Sequence, residues 1–569
     1  LRAVWFNQPF MEKRFYPGQY VLISGKAKLR GMRWEMTHPN VQTLEQESDD
    51  ADGRLLPVYP LTEGVKQGQV RRVVASALEM CLEDVEEVFA PEYLEEHALL
   101  PIQDALKQIH MPSDKAGLEK GRYRLIYQEL FMLQLGLGLR KNYCRQLSAA
   151  PALVATAKID ARIRRRFPFE LTSGQSAAIA DITEDLANTC PMNRLLQGDV
   201  GSRKTVIALY ASLLAVAEGY QVAIMAPTEV LARQHARVLG RFLEASRVRT
   251  ALLAGSLTET QRSAVLSEMA AGKVDVVIGT HALVQPNIEF LKLGLVVIDE
   301  QHKFGVRQRA VLKQSGLQPH YLIMTATPIP RTVTMALFGD LDVTTMRDFP
   351  PGRQLVQTYL ASESERAKWW DFYRKKIKEG RQGYVIAPLI DESDHWEVAS
   401  LSEAYEQLAN GELEEFRLGM MHGRMSGKEK DAVMAEFHEG HIQVLVSTTV
   451  VEVGVDVPNA TLMTIEGAER FGLAQLHQLR GRISRGMHPG YCSLFAEPTG
   501  EESQARLEAF VQTSDGFELA EVDFRLRGPG DLFGTRQHGL PPFRIADLVR
   551  DAEIVKLAQQ DAQKMLATD

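Results

Sequence analysis

Cysteine is scarce in this chain. Four occur in 569 residues (Cys81, Cys144, Cys190 and Cys492), far apart and without CxxC or Cys/His spacing. That excludes a disulfide framework and a structural zinc site, and it fits a reducing compartment. Also missing is any apolar run of about 18 residues or more, so no membrane-spanning helix is expected. The start carries no signal-peptide pattern, and the expectation is a cytoplasmic protein. Positive charge is not in excess either: 65 Lys+Arg stand against 73 Asp+Glu, a net charge of −8. Any contact with nucleic acid must then come from local basic patches and not from a global field. With 45% hydrophobic and 24% charged residues, disordered and collagen-like classes are excluded. Short-period repeats are absent as well.

What is present is enough chain for roughly three or four domains at about 150 residues each. Residues 1–75 hold short alternating runs broken by glycine and proline, clearest at 20–25 and 32–36, which predicts a small antiparallel barrel. From 76 to 166 the periodicity is helical, ending in the basic cluster Arg162, Arg164, Arg165, Arg166. Between 167 and 346, short apolar runs at 194–197, 221–225, 274–278, 293–298 and 321–324 alternate with amphipathic segments. Such a pattern predicts a mainly parallel sheet with crossover helices. A second set at 384–387, 444–446, 460–465 and 491–495 follows the hinge-like Pro350-Pro351-Gly352 and defines residues 347–499. Residues 500–569 read as helical with a glycine-rich insert. The chain opens on Leu1 instead of Met and stops inside a helix-like stretch, 545–566, so a piece of a longer protein is expected.

The strongest chemical signal is Gly198-Asp199-Val200-Gly201-Ser202-Arg203-Lys204-Thr205, between a short apolar strand and an apolar helix. Backbone N–H groups at such a helix start cradle phosphate oxygens, a lysine reaches the outer phosphates, and a threonine hydroxyl holds Mg²⁺. Arg203 departs from GxxxxGK[ST], which places glycine before the lysine; a long side chain there is expected to crowd the phosphates. About a hundred residues on, Asp299-Glu300-Gln301-His302 follows an apolar run, at the strand edge where ligands bind. Asp299 suits a metal ligand, and Glu300 suits orientation or deprotonation of an attacking water.

From this point the order of motifs resembles the superfamily 2 helicases. Phe169, Thr172 and Gln175 match the adenine-reading element of that group. Ala226-Pro227-Thr228-Glu229 with Gln234, and Gly279-Thr280-His281, are similar to its strand-contacting motifs. Thr325-Ala326-Thr327 resembles the segment linking nucleotide state to domain closure. In the second set, residues 421–425 and 447–456 resemble later motifs, and 478–485 resembles the arginine-finger motif, with Arg482 and Arg485 at its arginine positions and Ser484 where glycine is usual. Longer matches, at 299–306, 469–482, 515–523 and 527–537, are similar to the RecG family of bacterial branched-DNA helicases.

The resemblance implies an α/β fold: two tandem RecA-like parallel-sheet domains, preceded by an OB-fold wedge and a helical linker and followed by a helical hairpin translocation element. It implies ATP and Mg²⁺ as cofactors, forks and Holliday junctions as substrates, and fork reversal and branch migration in recombination and repair. Lys204, Glu300, Arg482 and Arg485 become the expected catalytic groups. Residues 198–205 with Phe169, Thr172 and Gln175 bind nucleotide, Thr205 and Asp299 bind metal, and Arg527 and Gln537 couple hydrolysis to duplex movement. Lys26, Lys28, Arg30 and Arg33 beside Trp34 supply basic groups interleaved with an aromatic, the chemistry for tracking phosphates and stacking a base. Phe6 and Phe10 are the other candidate stackers. A monomer is expected, with single-strand DNA-binding protein as a candidate partner. Two other readings stay open: a branched-DNA binding protein whose ATPase is impaired by Arg203, and a motor like the transcription-repair coupling factor.

Overall fold

The computed structural model describes residues 1–6, 11, 15–19, 21–30, 33–43, 55–147, 149–255, 257–285, 288–299, 317–326, 328, 341–349, 354–387, 394–448, 457–483, 488–498, 500–527 and 543–568. By its internal contacts the chain divides into two units, residues 1–132 with 543–546, and residues 133–542 with 547–569.

In the first unit, β1 (Arg2–Val4), β2 (Val21–Ser24), β3 (Ala27–Arg30), β4 (Arg33–Thr37) and β5 (Asn40–Thr43) form two small sheets, β1-β4-β3 and β2-β5. The β3/β4 and β2/β5 pairs are antiparallel, but β1 lies parallel to β4, which departs from the all-antiparallel pairing expected of this region. A parallel pair needs a long connection, and residues 5–32 supply it. Helices α1 (Gln67–Cys81), α2 (Pro91–Glu96) and α3 (Ile102–His110) follow, and α4 (Lys115–Leu147) begins in this unit. Helix α1 runs through residue 75, where the sequence pattern had suggested a boundary. Arg124 of α4 is fully buried, stacks over Phe89 at 4.7 Å and pairs with Glu87 at 2.6 Å. Glu129 anchors the returning segment by accepting from the backbone N–H groups of Arg544, Ile545 and Ala546.

The second unit holds two all-parallel sheets. The first lobe comprises β6 (Asn193–Gly198), β7 (Gln221–Met225), β8 (Thr250–Leu253), β9 (Val276–Gly279), β10 (Leu293–Asp299), β11 (His320–Thr325) and β12 (Asp342–Met346), in the order β12-β6-β11-β10-β7-β9-β8. Its central strands are buried at nearly every position, with few buried polar residues among them (Gln197, Gln221, His320 and Thr325), because both faces are covered. Leu196, Ile224, Val297 and Leu322 face one core with α5 (Ala157–Arg164), α6 (Ser173–Leu186) and α7 (Lys204–Ala217), whereas Leu195, Ala223, Val296 and Ile323 face the other. The second lobe comprises β13 (Val356–Ala361), β14 (Gln382–Ile386), β15 (Leu418–Met421), β16 (Val444–Ser447), β17 (Ala460–Ile465) and β18 (Gly490–Phe495), in the order β13-β18-β17-β14-β16-β15. Tyr384, Leu445 and Met463 face one core, and Val385, Val446 and Leu462 the other. Each fully buried side chain of this kind contributes about 1.5–3 kcal/mol. Two helices, Glu501–Gln512 and Gly516–Arg527, pack on the second lobe, and Ala552–Thr568 is the last helix. No helix among the described residues is long and apolar enough to cross a membrane.

Candidate nucleotide site and its partners

Strand β6 ends at Gly198 and α7 starts at Lys204, so residues 199–203 form a loop at the carboxyl edge of the first sheet. Gly198 is tightly enclosed: a Cβ there would lie 2.8 Å from Ser202 Oγ and 3.3 Å from the Met346 carbonyl. Gly201 turns the loop with φ +83°. Arg203 precedes α7 in the left-handed region (φ 60°, ψ 43°), the conformation for which glycine is best suited. Its guanidinium does not crowd the phosphate cradle. It lies over the ring of Phe169, 4.7 Å from the centroid, and so covers the aromatic that the sequence suggests for reading the base. Lys204 folds back on the loop, donating to the carbonyls of Gly198 (2.7 Å) and Asp199 (3.0 Å).

Beneath the loop, Thr172 and Gln175 form the capping box of α6 (Ser173–Leu186), each accepting from the other's backbone N–H. Gln175 is buried and donates through Nε2 to the Ser202 carbonyl, so its amide supports the loop from below. Asp299 closes β10, in register with Met324 and, through it, with Leu196 of β6. Two strand spacings, about 10 Å, therefore separate it laterally from the phosphate loop's strand. Sequence reasoning missed His235 of α8 (Glu229–Leu243). It is buried and bonds Asp299 Oδ2 through Nε2 at 2.7 Å. Its position about two turns from the Thr228 cap, on the face turned to the sheet, was the available signal.

The second lobe meets this loop directly. Gly481, next to Arg482, lies so close to Val200 that a Cβ would stand 2.6 Å from Val200 Cγ1. Buried His477 of the helix Leu473–Arg480 pairs with buried Asp199. Nothing in the local pattern singles out His477; only the fold brings it to the loop. Arg482 is half-buried beside Gly481. Glu300, Arg485, Ser484, Thr327, Phe10 and Gln537 lie outside the described residues, as do 301–306 and 449–456, and for Arg527 only the backbone is described.

In the first unit, Trp34 is 54% exposed and pairs across the hairpin with Leu29, 60% exposed. Lys28 pairs with Glu35, so the two-residue period puts Lys28, Glu35 and Arg33 on the opposite face from Trp34 and Leu29. Basic and aromatic groups that interleave in sequence thus separate onto two faces. Phe6 is exposed, its ring 5.9 Å from that of His38.

Two parallel-sheet lobes, one bearing a phosphate loop and the other pressing an arginine segment against it, are the architecture of a two-lobed nucleotide-driven motor. Comparison with known proteins narrows the class. The family model described as DEAD/DEAH box helicase matches residues 172–336, and that of the helicase conserved C-terminal domain matches 369–487. The RecG wedge domain matches 1–81, and the C-terminal part of domain 3 of the ATP-dependent DNA helicase RecG matches 513–569. The chain is 42% identical to the ATP-dependent DNA helicase RecG of Synechocystis sp., over 98% of this chain and 68% of that one. With RecG of Thermotoga maritima it shares 42% identity over 99% and 72%, and with that of Bacillus subtilis 41% over 100% and 83%. A solved structure of RecG bound to a three-way DNA junction superimposes with a TM-score of 0.74 at 41% identity, covering 97% of this chain and 73% of that one. This chain belongs to the RecG family of ATP-dependent DNA helicases.

Proposed function

We propose that the chain is an ATP-driven helicase of branched DNA that moves along duplex, reverses stalled forks and drives branch migration in recombination and repair. The observation that carries this reading is the convergence of the two lobes on one phosphate loop, with Gly481 against Val200 and His477 on Asp199. Two lobes that meet on one loop in this way can part and close again with each nucleotide, and the relative solved on a three-way junction supplies the substrate class.

In this mechanism the N–H groups at the start of α7 and the ammonium of Lys204 hold the phosphates, once Lys204 leaves the loop carbonyls. Glu300 orients the attacking water, and Arg482 and Arg485 stabilise charge that develops on the transferred phosphoryl group. Thr205 and Asp299 offer the hard oxygen donors that Mg²⁺ prefers, and Asp299 ends its strand at the same sheet edge as the loop. A bound Mg²⁺ supplies charge neutralisation at the phosphates; His235 fixes the carboxylate that would hold it. Residues 1–75 act as the wedge with Trp34, Phe6 and Phe10 as its candidate stackers, 76–166 as a linker, 167–346 and 347–499 as the motor, and 500–569 as the translocation element with Arg527 and Gln537. We assign it to the bacterial cytoplasm as a monomer, with single-strand DNA-binding protein as a candidate partner. The wedge match at residues 1–81 favours this reading over a coupling-factor-like motor.

The deciding experiment compares ATP turnover and strand separation on forked DNA for the wild type and Lys204→Ala. Fork-stimulated turnover that disappears in the variant supports the proposal. Turnover indifferent to DNA, or equal in both proteins, refutes it.

A further inference from the structure

The phosphate loop is held by parts of the chain that its own chemistry does not require. Asp199 Oδ1 accepts from the Val200 N–H within the loop at 2.6 Å and also pairs with His477 of the second lobe. Arg480 lies 3.2 Å from the other imidazole nitrogen of His477 and donates to the carbonyls of Phe510 and Thr513, where the helix Glu501–Gln512 ends. Since a guanidinium only donates, His477 Nδ1 accepts from Arg480 and Nε2–H donates to Asp199. On its other oxygen, Asp199 faces the N–H of Gly516 at 3.4 Å, the first residue of the helix Gly516–Arg527. The fit around Gly516 is close: a Cβ would stand 2.6 Å from His477 Nε2 and 2.9 Å from Pro328 Cγ. A second, separate dock follows at once. Buried Phe517 lies under the guanidinium of Arg347, 5.3 Å from its ring centroid, just beyond β12 of the first lobe.

We infer that Asp199 and His477 are a positioning pair that transmits the filling of the phosphate loop directly to the helices Glu501–Gln512 and Gly516–Arg527, beside the route through the arginine segment. Lys204 here bonds the carbonyl of Asp199 itself. Phosphate arriving in the loop draws the ammonium off that carbonyl, leaves it to the Ser202 N–H at 3.2 Å, and so loosens the 199–200 peptide. The carboxylate on the same residue is pinned to His477 and Gly516, so the loop rearranges only by moving or releasing the helix start. The mechanical output of the lobe is thereby tied to its occupancy at one residue. This coupling presupposes the ATP-driven motor proposed above.

The test measures, on one forked substrate and with the full chain, the KM for ATP and the DNA strands separated per ATP hydrolysed. His477→Ala is expected to keep KM within about threefold and to lower strands per ATP about fivefold or more. His477→Gln, which restores an N–H donor, recovers most of that ratio, a result that mere packing would not give. Arg347→Ala, an exposed change at the second dock, lowers the ratio in the same direction and serves if His477→Ala is unstable. Asp199→Asn combined with His477→Ala is no worse than the poorer single variant, because contacting residues acting as one unit are not additive. A wild-type ratio in both His477→Ala and Arg347→Ala overturns the coupling role. So does a joint loss of ATP affinity and turnover in His477→Ala resembling that of Lys204→Ala. A wild-type protein that separates no strands with ATP would instead remove the motor reading beneath it.

Discussion

Arg203 sits where the phosphate loop calls for glycine, and the structure allows the consequence of Arg203→Gly to be worked out. The left-handed backbone at this residue costs a non-glycine side chain roughly 1–2 kcal/mol, which the variant recovers. Against that, glycine loses about 0.5–1 kcal/mol more conformational freedom on folding. The variant also gives up the guanidinium–Phe169 contact, worth about 0.5–1 kcal/mol at an exposed site. The terms cancel to within about 1 kcal/mol, so the melting temperature should move by a few degrees at most. Nucleotide affinity is different. A base that stacks on Phe169 must displace the guanidinium, and removing that competitor strengthens binding by about two- to fivefold, from 0.5–1 kcal/mol. Calorimetric titration of a non-hydrolysable ATP analogue at fixed Mg²⁺ reads this, with Arg203→Ala beside it. Alanine frees the ring and keeps the strained backbone, so equal gains in both variants assign the effect to the ring, whereas a gain in glycine alone assigns it to the loop. Unchanged or weaker binding in Arg203→Gly, with the fold intact, would falsify the reasoning.

Three further outcomes follow from geometry elsewhere. His235→Ala removes the hydrogen bond that orients Asp299, and a support of this kind typically costs 10–100-fold, so turnover should require roughly tenfold more Mg²⁺ while ATP analogue binding without metal stays level; an unaltered Mg²⁺ titration would contradict the assignment. Burial pushes the imidazole of His320 below its ordinary value, more than its hydrogen bond to the Pro151 carbonyl raises it. The unfolded chain then binds the proton first, so the stability His320 contributes is intact above its unfolded value near 6.5 and is lost as pH falls through and below it. Urea unfolding from pH 7.5 to 5 should therefore be steeper in pH for the wild type than for His320→Gln. Arg124→Ala strips the buried partner from Glu87, and such a break costs about 3–5 kcal/mol; a urea midpoint for the first unit within error of wild type would refute that weight.

Which strands the sequence revealed depended on their place in the sheet. Apolar runs marked every interior strand of both lobes, because residues at both faces are covered there. The four strands without a clear run, β8, β12, β13 and β15, are the four sheet edges. Their exposure alternates or tapers, as in Asp342–Met346 and Val356–Ala361, since one side of an edge strand meets solvent. The phosphate loop and the Asp299 strand end were legible for a related reason: their chemistry is written in consecutive residues. His235 and His477 were not, because each matters only through a carboxylate that the fold delivers from 64 and 278 residues away.

Glycine shows the same limit from the other side, and explains why this loop tolerates one departure. At residue 203 the family pattern asks for glycine because of backbone φ, and an L-residue can occupy that conformation at a cost of roughly 1–2 kcal/mol. At Gly481 and Gly516 φ is not positive; the need there is for space, with a Cβ placed 2.6 Å from Val200 and from His477 respectively. A side chain at 203 finds room over Phe169, so the loop keeps its path. One at 481 or 516 would have to part the lobes or lift the helix start from Asp199, which is a change of mechanism and not of strain. All three positions fall within family-like segments of the sequence, but that 481 and 516 need space, and 203 only a backbone conformation, is recognisable once the chain has folded around them.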